Sequence, residues 1–293
     1  MAVNIEKLSE HVGAELTELN IRRSIGAEDM ATINAALVEH GMLLVRDQVL
    51  NPQQLIDFST HFGTLKPHVQ KKFHVPGYPV LVYNINVDRD GHFDDGAARR
   101  GVNEQTRVNW HSDQSYDALP SRATVVTAVE LPASGGSTWF KNTYKAYETM
   151  PDTLKARIEG KRGVFGYVAG RKHPSFSAHA HLTQEAAEAA FVTHPIARTV
   201  PMTGRKAIYA NGICCSGVAD MSETEGDALL DEVYDWLDRP EFTYEHRWRL
   251  GDTIIWDNRG GTFHSGKLDY PRWQRRIMYR TTVVAEADEY LDR

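Results

Sequence analysis

Cysteine is nearly absent: the chain of 293 residues has only Cys214 and Cys215, and they are adjacent. Neighbours in sequence rarely meet disulfide geometry, and no CxxC pair is present to hold zinc. Packed thiols in a reducing, cytoplasmic setting are therefore expected. Long apolar runs are also missing. Nothing reaches the roughly 18 apolar residues that a membrane-spanning helix needs, so no membrane association is expected. The first residues, MAVNIEKLSEHVGAEL, mix charge with apolar side chains and lack the apolar stretch of a secretory signal. Excess positive charge is lacking too. The formal net charge is −6, which excludes a global field that would draw nucleic acid. No repeat, low-complexity tract or Gly/Ser linker divides the chain, so a single domain over 1–293 is expected.

What is present is an ordinary globular composition, 41% hydrophobic and 25% charged, with length enough for a sizeable core. Met30, Ile33, Leu37 and Val38 recur at helical spacing, with Gly41 as the expected C-cap and MLLVR as a buried strand after it. In NPQQLIDFSTHFG, Asn51 reads as an N-cap, Pro52 as the first helical residue and Gly63 as the terminator. PVLVYNINV reads as a strand, and TVVTAVEL as a central one. YKAYETMPDTLKARIEG predicts two short helical pieces split at Pro151. Ser222 and Glu225 form a capping-box pair that opens an amphipathic helix ending before Pro240. FTYEHRWRLGDTIIWDNRGGTFHSG and QRRIMYRTTVVA read as strands with glycine-containing turns. Strands and helices do not alternate one for one, which disfavours a doubly wound parallel sheet. An α+β fold with a jelly-roll core and flanking helices fits better.

Several polar clusters stand out. In VNWHSDQSYDALPS, His111 and Asp113 would share one face if this stretch were a strand. Taken alone, such a pair is a solvent face, a hydrogen-bonded pair, or half of a metal site. His264, after the polar WDNR and Gly260–Gly261, offers a third donor. Two imidazoles and one carboxylate form a facial triad that suits Fe(II) and leaves about three coordination positions open. In QRRIMYR, Arg276 and Arg280 would share a strand face, where paired guanidiniums call for anions. Other clusters carry less. His173, His179 and His181 read as part of a surface segment and possible lid over about 165–195. DRDGHFDDGAARRG lacks the spacing of a calcium loop and reads as part of a mobile loop over about 86–107, able to fold over a substrate.

The motifs WHSD, ELPASGGSTWF, WDNRGGTFH and QRRIMYR, in this order, resemble those of the Fe(II)/2-oxoglutarate-dependent dioxygenases of the taurine dioxygenase and 2,4-dichlorophenoxyacetate dioxygenase type. The early LLVRDQVLNPQQLIDFSTHFGTLKPH is similar as well, so the resemblance spans nearly the whole chain. It implies a double-stranded β-helix (jelly-roll, cupin-like) core and iron ligation by His111, Asp113 and His264. It implies that Thr138 and Arg276 hold the distal carboxylate of 2-oxoglutarate. Arg280 would lie near the substrate anion and assist the cosubstrate, and His68 would be the substrate-side histidine. O₂ is the second cosubstrate, and succinate and CO₂ are the coproducts. Because Asp113 fills the carboxylate position, hydroxylation is expected and halogenation is not. The same iron site could also serve desaturation, cyclisation or carbon–carbon cleavage. The reading from another class is a jelly-roll protein that binds metal and anion without turnover.

The substrate is expected to be a small anion: a sulfonate, a sulfate ester, an aryloxyalkanoate or another carboxylate. Lys71, Lys72 and Arg107 could add positive potential, and Asn109 and Tyr116 flank the ligand pair. Lys71 stands where taurine dioxygenases carry a tyrosine, and Arg107 where they carry an asparagine. The loop from Asp88 to Asn103 is longer than theirs and closer to that of the phenoxyacetate enzymes. These departures set taurine itself aside as the expected substrate. By the same resemblance, a homodimer or homotetramer is expected.

Overall fold

Local signals set the helices. α1 (Ala27–His40) buries Met30, Ile33, Ala36 and Leu37, and Gly41 ends it in the left-handed region at φ 72°, its N–H donating to the Leu37 carbonyl. α2 (Pro52–Thr60) starts at Asn51, whose side chain accepts from the Gln54 N–H while the Gln54 side chain returns a bond to the cap backbone. Each such cap is worth about 1 kcal/mol. The helix closes at His61, so Gly63 lies beyond the cap. α3 (Thr143–Glu148) and α4 (Asp152–Ile158) are split at Pro151, and α5 (Glu223–Leu237) opens on the Ser222–Glu225 capping box. The structure is a computed structural model that describes residues 3–67, 71–87, 110–166, 191–267, 269–271 and 273–286.

The strands in chain order are β1 (Asn4–Lys7), β2 (Ala14–Thr17), β3 (Met42–Val45), β4 (His74–Val75), β5 (Tyr78–Ile85), β6 (Ala123–Glu130), β7 (Thr138–Asn142) and β8 (Arg162–Phe165). They continue with β9 (Val192–Pro195), β10 (Ala197–Thr199), β11 (Lys206–Ile208), β12 (Cys215–Val218), β13 (Thr243–His246), β14 (Thr253–Asp257), β15 (Thr262–Gly266) and β16 (Ile277–Val283). An eight-stranded sheet runs β1-β2-β3-β14-β6-β16-β5-β4, and a three-stranded sheet runs β13-β7-β15. Its β2–β3 pair is parallel and its other pairs are antiparallel, so the large sheet is mixed. β6 is central in it, between β14 and β16. Smaller sheets are β12-β8-β9 and β10-β11.

Alternation along the central strands divides the core. Leu43, Val45, Val125, Ile255 and Val283 join α1 and α2 in one cluster. Met42, Leu44, Val126, Ile254, Trp256 and Met278 face the other way and meet Phe140 of β7. The second cluster therefore lies between the large sheet and the three-stranded one. A further cluster, which includes Phe263 of β15, gathers α3, α4 and α5 behind the three-stranded sheet. Neighbouring side chains on a strand point to opposite faces, so Phe263 feeds that rear cluster while His264 turns inward. The architecture is mixed α and β with several sheets, as the element pattern indicated.

Two expectations change in detail. The stretch through His111 and Asp113 is no strand: His111 forms a single antiparallel bridge with His264, and a turn begins at Asp113. The strand in QRRIMYR begins only at Ile277, with a register shift against β6 between Ile277 and Met278. Arg276 precedes the strand, so strand alternation does not govern its direction. The loop over 86–107 and the lid over 165–195, with His173, His179 and His181, fall almost entirely outside the described residues.

Candidate metal and anion site

The turn from β14 to β15 carries the chain from the large sheet to the small one and brings His264 to the inner face. Gly261 in this turn has φ 86°, and a Cβ there would come within 2.0 Å of the Tyr144 ring, so only glycine passes. His264 faces Phe140 across the β15–β7 ladder. On its other side, its N–H donates to the His111 carbonyl at 2.9 Å, and the His111 N–H donates back at 3.2 Å. This reciprocal pair sets the two imidazoles side by side, ring centres 4.1 Å apart. Trp256 packs on His264 with ring centres 4.5 Å apart.

After His111 the chain turns, with Gln114 in the left-handed region at φ 58°. Asp113 opens that turn, and its carboxylate lies near both imidazoles. Its Oδ1 lies 3.8 Å from Nε2 of His111 and 3.8 Å from Nε2 of His264. One ligand atom from each of the three residues lies within 4.8 Å of the others. The Arg280 guanidinium reaches the same Oδ1 at 3.1 Å. Asp113 and His264 are buried, and His111 is half-buried.

Electrostatics favour the ligating forms. Burial alone would raise the Asp113 carboxyl, but Arg280, the two imidazoles and the Thr124 hydroxyl hold it well below the usual carboxylate range. Burial, with His111 and Arg280 adding to it, pushes the His264 imidazole down to about 3 against the pull of Asp113. At neutral pH the site thus offers a carboxylate and a neutral buried imidazole, the forms that bind a metal. The donor set of two nitrogens and one oxygen fits a divalent transition metal with open positions.

A second buried polar group lies at the start of β7. Thr138 is buried and opposes His246 on β13 and Gly266 on β15. Its hydroxyl accepts a bond from Trp248 Nε1 at 2.9 Å, which leaves its own O–H to donate. Gly136, at φ 72°, lets Arg276 approach: the guanidinium Nε donates to the Gly136 carbonyl at 3.1 Å, and a Cβ would crowd Arg276 at 3.1 Å. The Arg276 N–H donates to Asn86 Oδ1 at 2.9 Å. Burial lowers the Arg276 guanidinium from its ordinary value, with Tyr270 opposing. Among the described residues no carboxylate pairs with this buried cation.

The substrate-side expectations are placed unevenly. Tyr116 is half-buried in the turn after Asp113 and packs against the rear cluster. Lys71 is exposed on the 3-10 turn Lys71–Phe73. His68, Arg107 and Asn109 lie outside the described residues. The structure adds residues that sequence reasoning missed. Thr124 donates to Asp113 Oδ2 at 2.6 Å, and Asn258 contacts both Thr124 and the Asp113 backbone. Asn258 sits in the polar WDNR, a visible signal; Thr124 lies in a β-branched run and gives none.

The chain belongs to the TauD/TfdA dioxygenase family: the model described as "Taurine catabolism dioxygenase TauD, TfdA family" matches residues 4–282. It is 30% identical to the alpha-ketoglutarate-dependent 2,4-dichlorophenoxyacetate dioxygenase of Cupriavidus pinatubonensis, over 98% of this chain and 99% of that one. Among solved structures, AAD-2 in complex with Mn(II) and N-oxalylglycine aligns with TM-score 0.82 and 25% identity, over 97% of this chain and 98% of that one. A taurine dioxygenase from Burkholderia xenovorans aligns with TM-score 0.77 and 27% identity, over 99% and 93%. Among the described residues no helix is long and apolar enough to cross a membrane.

Proposed function

We propose that this protein is an Fe(II)- and 2-oxoglutarate-dependent dioxygenase that hydroxylates a small anionic organic substrate. The observation that carries this reading is a cluster of two imidazoles and a carboxylate, the buried His264 imidazole neutral, together with a buried, carboxylate-free guanidinium at the Gly136 carbonyl. His111, Asp113 and His264 hold the iron. Thr138 and Arg276 take the far carboxylate of 2-oxoglutarate, the hydroxyl donating one bond and the guanidinium supplying charge. Iron and 2-oxoglutarate together supply the activation of O₂. Overall, substrate, O₂ and 2-oxoglutarate give hydroxylated substrate, succinate and CO₂.

The chain's own residues do the rest. Asp113 supplies the anionic donor where halide-using relatives would need a small residue, so the product is hydroxylated. Arg280, at the Asp113 carboxylate, stands where a substrate anion would meet positive charge, and His68, Lys71, Arg107, Asn109 and Tyr116 complete the substrate side. Sulfonates, sulfate esters and aryloxyalkanoates all present such an anion. Hydroxylation beside their sulfur or oxygen gives a product that fragments. The large and three-stranded sheets enclosing one core are read as the halves of a double-stranded β-helix. The same reading makes residues 1–293 one domain, with 86–107 and 165–195 covering the site. It also makes the protein a cytoplasmic homodimer or homotetramer.

The test is an anaerobic titration with Fe(II) and 2-oxoglutarate, followed by a panel of sulfonates, sulfate esters and aryloxy acids scored for succinate. A weak visible charge-transfer band is expected in the wild type and its loss in His111→Ala. Neither a band nor succinate with any compound would leave a metal- and anion-binding protein without turnover. Product masses separate hydroxylation from desaturation, cyclisation and carbon–carbon cleavage.

A further inference from the structure

The two oxygens of Asp113 have different surroundings. Oδ1 faces both imidazoles at 3.8 Å and the Arg280 guanidinium at 3.1 Å. Oδ2 accepts from the Thr124 hydroxyl at 2.6 Å, the length of a charge-assisted bond. The Thr124 oxygen in turn accepts from Asn258 Nδ2 at 2.9 Å, and Asn258 Oδ1 accepts from the Asp113 N–H at 3.2 Å. The ring is closed: backbone of Asp113 to Asn258, to Thr124, and back to the Asp113 carboxylate. Asn258 is itself anchored, donating to Ser121 Oγ at 3.1 Å while its own N–H donates to the Arg122 carbonyl at 2.9 Å. Ser112 Oγ donates to the Asn258 carbonyl at 2.9 Å, and Ser121 Oγ donates to the Asp113 carbonyl at 3.2 Å. Thr124 and Asn258 are fully buried, and Thr124 sits on the central strand β6, opposite Trp256. Neither end of the ring can drift without breaking buried hydrogen bonds.

This matters because a carboxylate binds a metal through one oxygen or through two. Two histidines and a one-oxygen carboxylate leave about three coordination positions open, whereas a two-oxygen carboxylate removes one of them. A cosubstrate that chelates through its 2-oxo and carboxylate groups needs two, and O₂ needs the third. For Oδ2 to turn toward the metal, the carboxylate would have to rotate and give up the Thr124 bond. We infer that Thr124 and Asn258 are positioning residues that hold Asp113 to a single ligating oxygen, Oδ1, and so keep open the positions that a chelating cosubstrate and O₂ require. The inference rests on the proposed triad, and it concerns the geometry of one ligand within it.

The test reads binding, without turnover. Thr124→Val removes the hydroxyl at nearly constant volume, and Thr124→Ser returns it. Outer partners of metal ligands typically change affinity by about 10–100-fold. On this inference that change falls on 2-oxoglutarate: its anaerobic Kd for the metal-loaded protein rises at least about tenfold in Thr124→Val, with a weaker charge-transfer band. The Fe(II) or Co(II) Kd stays within about threefold of wild type, because a freed Oδ2 still ligates, and Thr124→Ser restores 2-oxoglutarate binding. Should Thr124→Val fail to fold, Thr124→Ala, which only removes atoms, carries the same comparison. Unchanged 2-oxoglutarate binding in the folded variant overturns the inference while leaving the triad standing. Metal affinity lost in parallel overturns it too, since the clamp would then serve metal binding generally. Equal metal binding by wild type and His111→Ala would instead remove the triad on which it rests.

Discussion

Arg276 and Arg280 were similar in sequence, two guanidiniums in one short motif, and the structure gives them different surroundings. Arg276 is buried beside the Gly136 carbonyl with no carboxylate partner among the described residues, while Arg280 meets Asp113 at 3.1 Å. Arg276→Ala is therefore expected to raise the 2-oxoglutarate requirement more than about tenfold, or about 1.4 kcal/mol, because it strands a carboxylate without its charge partner. Arg280→Ala should raise the KM of the substrate more than that of 2-oxoglutarate. Steady-state kinetics with each ligand varied in turn check both, and reversed effects would exchange the two roles. At this scale residue type offered His111, Asp113 and His264 only as candidates, and the resemblance of four motifs in order singled them out as ligands. The sequence could not mark Thr124, because a threonine in a β-branched run looks like strand propensity until an oxygen appears 2.6 Å away.

Helices were the most legible elements because their signals are local. Asn51, Gly41, Pro151 and the Ser222–Glu225 pair all act within a few residues of themselves. Strand limits were less legible, since a strand ends where its partner ends: Arg276 lies outside β16, and the His111 stretch pairs at a single residue. The β14–β15 turn shows the same dependence. Gly261 and Gly77 both have positive φ, 86° and 82°. A Cβ on Gly261 would strike Tyr144 at 2.0 Å, whereas one on Gly77 meets nothing within 4 Å. Gly77→Ala should cost about 1 kcal/mol from backbone strain alone, and Gly261→Ala about 2–4 kcal/mol as overpacking adds to it. Urea unfolding of the two variants isolates the steric part. Equal losses would show that Tyr144 yields freely.

Across the molecule, one buried network links the sheets next to Thr138. His246 on β13 is fully buried, its Nε2 3.0 Å from Asp252, and Asp252 also receives the Arg46 guanidinium and the Arg249 N–H. Trp248, the donor to Thr138, packs edge-on to His246, ring centres 4.8 Å apart. Burial lowers the His246 pKa from 6.5, with Arg46 and Arg249 adding to it, despite the opposing pull of Asp252. The folded protein thus resists a proton that the unfolded chain accepts near 6.5, so stability is lost as pH falls below that value and is retained above it. His246→Gln should show a shallower fall in unfolding free energy between about pH 6.5 and 5 than wild type. Parallel curves for the two proteins would mean that His246 protonates equally well in the folded state.

The amino-acid sequence alone indicated the helices, most of the caps it named, the central place of β6 and the three candidate donor residues. Each of these depends on spacing within a short stretch or on motif order along the chain. Tertiary structure decided that His264 faces His111 across a reciprocal backbone pair, that one oxygen of Asp113 faces the imidazoles while the other is tied to Thr124, and that Arg276 is buried against the Gly136 carbonyl. Those outcomes follow from hydrogen bonds and close contacts between segments far apart in the chain, which exist only once the sheets have closed around a common core.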